Sequence, residues 1–598
     1  MRNKGQNKYQ PLQLTTPPST RQLRKSHRTT VVKILLTLLS LCLPSLLPAN
    51  SLLDTPSPKR EVRAVWLTTI GGLDWPHSYT GTHGNEHAIR KQKEELCRIL
   101  DQYQRDGINT VLLQTRIRAT TIFPSAMEPW DGCLSGVPGK TPGYDALQFA
   151  IEECHRRGME LQAWVVSLPV GKWNALGCAQ LRKKYPGLIR KIGPDGYMNP
   201  EDPRTARYIA EFCEDIVRRY DVDGIHLDYI RYPEQWKIRV PLDQARNNIT
   251  RIVRAVHDRV KALKPWVKMS CSPVGKFDDL TRYWSHGWNA YTKVAQDAQG
   301  WLRSGLMDQL FPMMYFRGDQ FFPFAIDWQE QSYGRIIAPG LGIYFLDPRE
   351  GRWTLQDIER EMYVLRSEGL GHTFFRGRFL TDNTQGIEDF VQQFNRNLAL
   401  VPAMTWVSAT RPDAPTGLTI KEGIVRWKGS TPYYNIYANP DGPVDLRDAS
   451  QLVAIRVPAD SLIAPTDGLH FAVTGMDRYG NESMPVGDYD PASIDTATPP
   501  AATDGKHAPA VRPETKPAVS SPAILSCDGR MLRLPATSST LEKDLYAIET
   551  LQGTVIATLP CRGSSRLDIT SLQPGCYWLR SLNKRGVSHR LGYFEVKR

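Results

Sequence analysis

From Glu61 to about Leu400 the chain alternates short apolar, β-type runs with longer charged or amphipathic stretches. The apolar runs are Arg63–Thr69, Asn109–Arg116, Glu160–Leu168, Asp223–Tyr232, Val267–Pro273, Asp308–Phe316, Arg335–Tyr344 and Gly371–Gly377. Their length and patterning predict strands. Between them, stretches such as Ala88–Arg105, Tyr144–Arg157, Pro203–Tyr220 and Asn247–Leu263 predict helices. Turn signals such as Asp106-Gly107 and Arg157-Gly158 mark the way into a strand. Eight strand–helix units in roughly 340 residues predict an α/β fold, a (β/α)8 TIM barrel with enlarged loops. The alternative, an open doubly wound sheet, more often carries a phosphate-binding glycine fingerprint, and this chain has none.

Beyond Ala403 the predicted strands become short and closely spaced, as in two small all-β sandwich domains. Pro412–Tyr489 carries Trp427, Tyr434-Asn435-Ile436-Tyr437 and Phe471-Ala472-Val473, followed by Asp477-Arg478-Tyr479-Gly480-Asn481. That pattern resembles a fibronectin type III sandwich over residues 408–490, a module that usually spaces or binds. Residues 491–522, rich in Pro, Ala and Thr, predict a linker. Residues 523–598 predict the second β domain. Its segments Leu572–Arg580 and Phe594–Arg598 resemble the C-terminal sorting domain of the type IX secretion system; a plain accessory sandwich is the alternative.

The net charge of +13 over 598 residues suggests nucleic acid until it is located. Eight Lys and Arg, and no acid, fall within residues 1–33, which leaves +5 over a remainder of mixed sign. That distribution argues against a nucleic-acid partner. The basic stretch runs into the mainly apolar Ile34–Leu47 and then Pro48-Ala49-Asn50, the order of a secretory signal over residues 1–50. A retained membrane anchor is the alternative, and Leu39-Ser40-Leu41-Cys42 fits a lipoprotein site badly. On either reading the remainder is exported, to the periplasm, outer membrane or cell surface, and meets a membrane only through its N-terminal segment. The ten Cys are scattered without zinc spacing, so neither metal nor cofactor is expected. One disulfide within Cys527, Cys561 and Cys576 is conceivable.

In such a barrel the chemistry sits at the C-terminal ends of the strands. Period-2 alternation in the fourth run puts His226, Asp228, Ile230 and Tyr232 on one face, opposite Ile225, Leu227, Tyr229 and Arg231. Ile225 and Leu227 suit the helix-covered outside, so His226 and Asp228 are expected to point inward. An inward carboxylate must be paired or functional. Asp228 is thus a catalytic candidate, with an ion pair to Arg116 or Arg231 as the alternative, and His226 is a hydrogen-bonded support one layer deeper. Leu112, Gln114 and Arg116 share a face on the second run, as do Gln162 and Trp164 on the third. Two loops pair an acid with Trp: Asp74 with Trp75, and Glu128 with Trp130. A glycoside site needs such a pairing, an acid for the leaving oxygen and an aromatic face for the sugar ring. The alternative makes Asp74 and Glu128 solvated loop acids and the Trp residues lids over the core. Trp173 falls in another predicted top-face loop. The fifth and sixth runs end without a Glu, so the second carboxylate is not evident; Asp278 and Asp279 either fill that gap or cap the next helix.

Several of these stretches together resemble one family. Arg63-Ala64-Val65-Trp66-Leu67-Thr68-Thr69, Leu73-Asp74-Trp75-Pro76, Asp223–Pro233 and Pro312-Met313-Met314-Tyr315 look like the glycosyl-hydrolase-like 10 family over residues 61–400. The resemblance implies a (β/α)8 glycosidase of exported bacterial proteins, hydrolysing peptidoglycan glycan strands stripped of stem peptides. Through the resemblance Asp228 matches the family's strand-four Asp and Asp74 its Asp-Trp-Pro motif. With Glu128 of the second acid–Trp loop these are the catalytic candidates, and Trp75, Trp130, Gln114, Arg116, Trp164, His226, Arg231, Tyr232 and Tyr315, read from the expected cleft, are the candidate glycan-binding set. Two departures stand beside the expected cleft. Many members have Asp-Asp-Tyr where this chain has Asp228-Tyr229-Ile230, and Asn-Pro-Tyr-Arg where Val165-Val166-Ser167-Leu168-Pro169 follows Trp164. The alternatives are a non-catalytic glycan-binding envelope protein and a glycosidase for an external polysaccharide.

Overall fold

The computed structural model describes residues 57–494, apart from 83, 281–286 and 465, and most of 523–596. The leader region 1–50, linker positions 495–522 and Cys561 of the suggested disulfide lie outside the described residues. All eight expected strand positions carry strands, which are β1 (Arg63–Leu67), β2 (Thr110–Arg116), β3 (Glu160–Val166), β4 (Gly224–Asp228), β5 (Lys268–Cys271), β6 (Gln309–Leu310), β7 (Ile336–Ile337), β8 (Gly340–Leu341) and β9 (His372–Phe374). The seventh expected run is split into β7 and β8, because Pro339 between them has no N–H to give a ladder. Every residue of β1 to β4 is buried, as parallel strands are when both faces are covered.

The nine strands form one parallel sheet in the order β7-β6-β5-β4-β3-β2-β1-β9-β8. Its two terminal strands are separated in the chain only by Ala338 and Pro339, so the sheet curls round until its edges meet in a single segment. The intervening helices begin where capping chemistry dictates. Asn85 accepts from the His87 and Ala88 N–H groups at the start of α1 (Glu86–Arg105). Asp145 caps α2 (Ala146–Arg156), and Asp202 caps α3 (Pro203–Arg219), which has Pro203 in its first turn. The fourth expected helix, α4, runs Leu242–Leu263. No helix among the described residues is long and apolar enough to cross a membrane.

Two local departures from the regular pleat decide where side chains point. The β2–β3 register steps from Gln114 opposite Trp164 to Arg116 opposite Val165, a β-bulge that takes up Thr115 and reverses the face of Arg116. In the fourth run the ladder stops at Asp228, and Tyr229 adopts a left-handed φ of 52°. A small antiparallel sheet of Pro169–Lys172, Asp195–Met198 and Ile189–Ile192 follows β3 and stands beside the C-terminal end of the large sheet.

Residues 416–487 form two antiparallel sheets of three and four strands around Val425, Trp427, Tyr434, Ile436, Phe471 and Val473. This domain is seated on the N-terminal ends of the parallel strands. Arg456, itself at φ 50°, reaches Glu160 at 2.9 Å and Asp223 at 2.6 Å, and Lys268 donates to the same Glu160 oxygen at 2.8 Å. Burial alone would raise the Asp223 pKa, but Arg456 and His155 hold it well below the ordinary carboxylate range. The fit is close: a Cβ on Gly158, whose φ is +74°, would meet the Ile455 carbonyl oxygen at 2.5 Å. The C-terminal domain is again all-β, with a five-stranded and a two-stranded sheet around Leu532, Tyr546, Leu579 and Phe594.

Candidate active site

A cleft of about 510 Å³ opens at the C-terminal ends of the parallel strands. Asp228, at the end of β4, lines it together with Trp164 from β3, Gln114 from β2 and Tyr315 from the loop after β6. The Asp228 carboxyl is only 6% exposed. Its Oδ1 accepts from the Tyr229 N–H at 2.7 Å and the Ser272 hydroxyl at 2.8 Å, and its Oδ2 accepts from the Trp164 indole at 3.1 Å. A carboxylate has about four lone-pair positions, so these three donors leave Oδ2 with one to spare. Burial raises the Asp228 pKa above the ordinary value, and Arg231 and the three donors offset only part of that shift. The Tyr315 phenol, half-buried in the cleft wall and close enough to feel the Asp228 charge, stays protonated well beyond its normal range because desolvation disfavours its anion. Its ring stacks on Phe375 with centroids 5.3 Å apart, which gives the cleft an aromatic wall.

Beneath Asp228 lies His226, fully buried, with its pKa pushed down to about 3 by burial and therefore neutral. Its Nε2 meets the Trp66 indole at 3.2 Å. Since an indole N–H only donates, Nε2 must accept, which leaves the proton on Nδ1 to be donated to Ser270 at 3.0 Å. Ser270 then donates to Gln162 at 2.6 Å, and Gln162 donates to Gln309 at 2.8 Å. His226 is thus a link in a directed chain across the sheet interior, the supporting role expected of it, and it does not line the cleft.

Several expected residues are elsewhere. The bulge at Thr115 turns Arg116 outward, where its guanidinium lies over Phe212 of α3 and pairs with Glu128 at 2.7 Å. Tyr208 donates to the same Glu128 oxygen at 2.9 Å. Arg116 and Glu128 therefore make a closed ion pair beneath a helix, and neither reaches the cleft. Asp74 is saturated: Oδ2 accepts from the Thr68 N–H and hydroxyl, and Oδ1 from Arg376 at 2.6 Å and the Arg378 N–H at 3.0 Å. With every lone pair taken, Asp74 anchors the loop and Arg376. Trp75 is fully buried and donates to the Gln92 carbonyl, so it packs against α1 and presents no platform to a sugar. Trp130 and Trp173 are half-buried away from the lining, and Trp173 lies under the Arg182 guanidinium at 4.0 Å. Tyr232 leaves the Asp228 face because the strand has ended; it is buried and accepts from Asn248 of α4 at 3.1 Å. Asp278 and Asp279 do not line the cleft.

Other cleft residues went unread in the sequence. Tyr229 lines the cleft beside Asp228, since its left-handed φ turns a side chain that alternation assigns to the outside. Glu234 and Asp195 are the further carboxylates in the lining, held by Arg231 at 2.7 Å and by Lys172 at 3.0 Å. Glu234 stands just past the strand-four motif, and Asp195-Gly196 is a turn signal between polar runs; either was findable by reading on to the loop ends. Gln114 keeps its expected place and accepts from the Thr69 and Ile70 N–H groups. Arg231 is buried behind Tyr229, with its guanidinium 4.4 Å from that ring. Among the described residues no cluster of His, Cys, Asp and Glu is arranged to hold a metal ion.

Residues 61–245 and 235–340 match the family described as glycosyl hydrolase-like 10. The glycosyl hydrolase YngK of Bacillus subtilis is 28% identical over 475 residues, covering 71% of this chain and 92% of its own length. The glycosyl hydrolase DigH of Escherichia coli K12 is 29% identical over 294 residues, 44% of this chain and 67% of its own. Among solved structures, the PgaB glycoside hydrolase domain from Bordetella bronchiseptica aligns with 56% of this chain and 98% of its own, at 14% identity and a TM-score of 0.38. An endo-1,4-beta-D-mannanase from Thermotoga petrophila aligns with 56% and 99%, at 11% identity and a TM-score of 0.37. The protein is a glycoside hydrolase, and its parallel-sheet domain aligns with the glycosyl hydrolase-like 10 family.

Proposed function

We propose that the protein is an exported hydrolase of cell-wall, peptidoglycan-type glycan strands, and that Asp228 is its proton donor. The observation that carries the reading is the Asp228 carboxyl itself. It is buried at a strand end and has a raised pKa, and one oxygen position remains for a ligand in an aromatic cleft. A carboxyl that keeps its proton above the usual range can deliver it to a glycosidic oxygen as the C–O bond breaks. Glu234 and Asp195 are the cleft carboxylates from which the second role, base or nucleophile, is drawn. Gln114, Trp164, Tyr229 and Tyr315 bind the sugar. On this reading the curled sheet is a (β/α)8 barrel, residues 408–490 are a fibronectin type III-like spacer, and the N-terminal segment directs export.

The test uses the purified protein and peptidoglycan glycan strands with and without stem peptides, with soluble products read by mass spectrometry. Fragments from the bare strands are expected, and Asp228→Asn is expected to lower their rate by about 10²- to 10⁴-fold. The rate should fall along an alkaline limb lying above the ordinary carboxylate range, since the acid form is the active one. Full turnover by Asp228→Asn would remove Asp228 from the chemistry. Protein that sediments with the wall and releases nothing would point to binding alone, and cleavage of neutral polysaccharides in place of wall strands would redirect the substrate.

A further inference from the structure

Two guanidinium groups at the cleft, Arg231 behind its wall and Arg118 in its lining, carry more N–H donors than the described contacts use. Arg231 is 5% exposed, and its Nη2 donates to Glu234 at 2.7 Å. Its Nε and Nη1 are buried with no hydrogen-bond partner. A guanidinium is an obligate donor through all five of its N–H groups, so unfilled ones beside a ligand cleft mark a place for an acceptor. The group is set among the cleft residues: its charge is felt at Asp228, Tyr229 and Tyr315, and Glu234 and Tyr229, which flank it, both line the cleft. Arg118, exposed and also in the lining, forms no ion pair with a described carboxylate. The other charges facing this space are spoken for, with Asp195 on Lys172 and Arg376 on Asp74.

Tyr229 is the side chain between Arg231 and the cleft. It is 38% exposed, and its φ of 52° is one that an aromatic L-residue adopts only at a cost. Strain of this kind collects at ligand sites, and here it places a ring over a cation whose remaining donors are empty.

We propose that Arg231 and Arg118 form a subsite for a carboxylate carried by the sugar, with Tyr229 as the side chain that moves aside to admit it. The assignment rests on the glycan reading of the cleft and narrows it to acidic sugars. Guanidinium matches a carboxylate in plane and charge, and a neutral sugar would leave the same donors unfilled.

The experiment compares a wall disaccharide bearing its free lactyl carboxylate with the same disaccharide as its methyl amide, by calorimetry on the full chain. The carboxylate form is expected to bind at least about 10-fold more tightly, a preference that weakens as salt is raised. Arg231→Gln should bring the two affinities within about 2-fold, and Arg231→Lys, which keeps the charge without the fork, should retain part of the difference. Arg118→Gln, at an exposed position, should lower the preference and decides the matter if Arg231→Gln fails to unfold cooperatively. Equal wild-type affinities, or a preference that survives both Gln substitutions, would overturn the subsite. Turnover is read separately on the same pair. Equal cleavage of both with no binding preference keeps the hydrolase and removes the subsite; a carboxylate preference with no cleavage keeps the subsite and removes the wall-hydrolase reading.

Discussion

Asp228 and Asp106 are both carboxyl groups whose pKa burial raises, and their surroundings separate them. Asp228 faces a cleft and is met by three donors. Asp106, at the end of α1, receives one bond, from Gln392 at 3.0 Å, while its Oδ2 is buried without a partner. Burial, with a smaller contribution from Glu388, lifts its pKa to about 7. The folded state therefore holds a proton that the unfolded chain releases near the ordinary aspartate pKa of about 3.9. Stability from this group is full below pH 4, falls as the pH rises toward about 7, and is level above that. Asp106→Asn keeps the acceptor for Gln392 and removes the ionisation. Urea unfolding should find it more stable than wild type by roughly 1–3 kcal/mol at pH 8 and nearly equal at pH 4. A wild-type deficit unchanged between those two values would show that Asp106 does not titrate in the fold. His226 shows the same sorting from the other side: both of its neighbours along the strand are apolar, alternation turns it inward, and there it is a neutral link below the cleft and not part of the glycan-binding lining it was expected to join.

Local elements explain why the rest of the site was harder to read. Counting alternate residues supposes an unbroken pleat, and the pleat is broken twice near the cleft. The bulge at Thr115 sends Arg116 out, and the left-handed Tyr229 brings its own ring in while releasing Tyr232 to pack against α4. Neither break has a Gly, Pro or Asn-Gly to announce it. The acid–Trp loops failed for a different reason. A loop that must descend over the sheet rim has backbone N–H groups to satisfy, and Asp74 is consumed doing so. Glu128 offers the cleanest check. Glu128→Gln should destabilise the fold by roughly 2–4 kcal/mol, because Arg116 is left charged beneath α3. The rate per folded molecule should stay within about 2-fold of wild type. A loss of several hundred-fold with unchanged thermal stability would return Glu128 to the chemistry.

At the scale of the whole molecule, the passage from strand–helix alternation to closely spaced antiparallel strands was legible because the patterning changes after Ala403. Which end of the parallel sheet each domain meets was not, since contacts such as Arg456 with Glu160 join residues 296 apart. The β-sandwich occupies the end opposite the cleft, so it steadies the sheet and takes no part in lining the site. Arg456→Met should cost about 3–5 kcal/mol in denaturant unfolding, because Asp223 and Glu160 would be left buried without their guanidinium. Asp223 supplies stability that is present at neutral pH and lost as the pH falls, so the penalty should shrink in acid. A penalty under about 0.5 kcal/mol would mean that the seat is held by its apolar contacts alone. The sheet's closing segment carries one more consequence. β6, β7 and β8 are each two residues long and pair over two residues, whereas β2 and β3 pair over six and β3 and β4 over five. The cleft is thus walled on one side by long ladders, which carry Trp164 and Asp228, and on the other by short ones, from which Met313 and Tyr315 extend. Single bridges, Val274 with Met313 and Met313 with Gly340, continue the short side, so the segment that closes the sheet is also the one that holds an aromatic ring opposite the carboxyl.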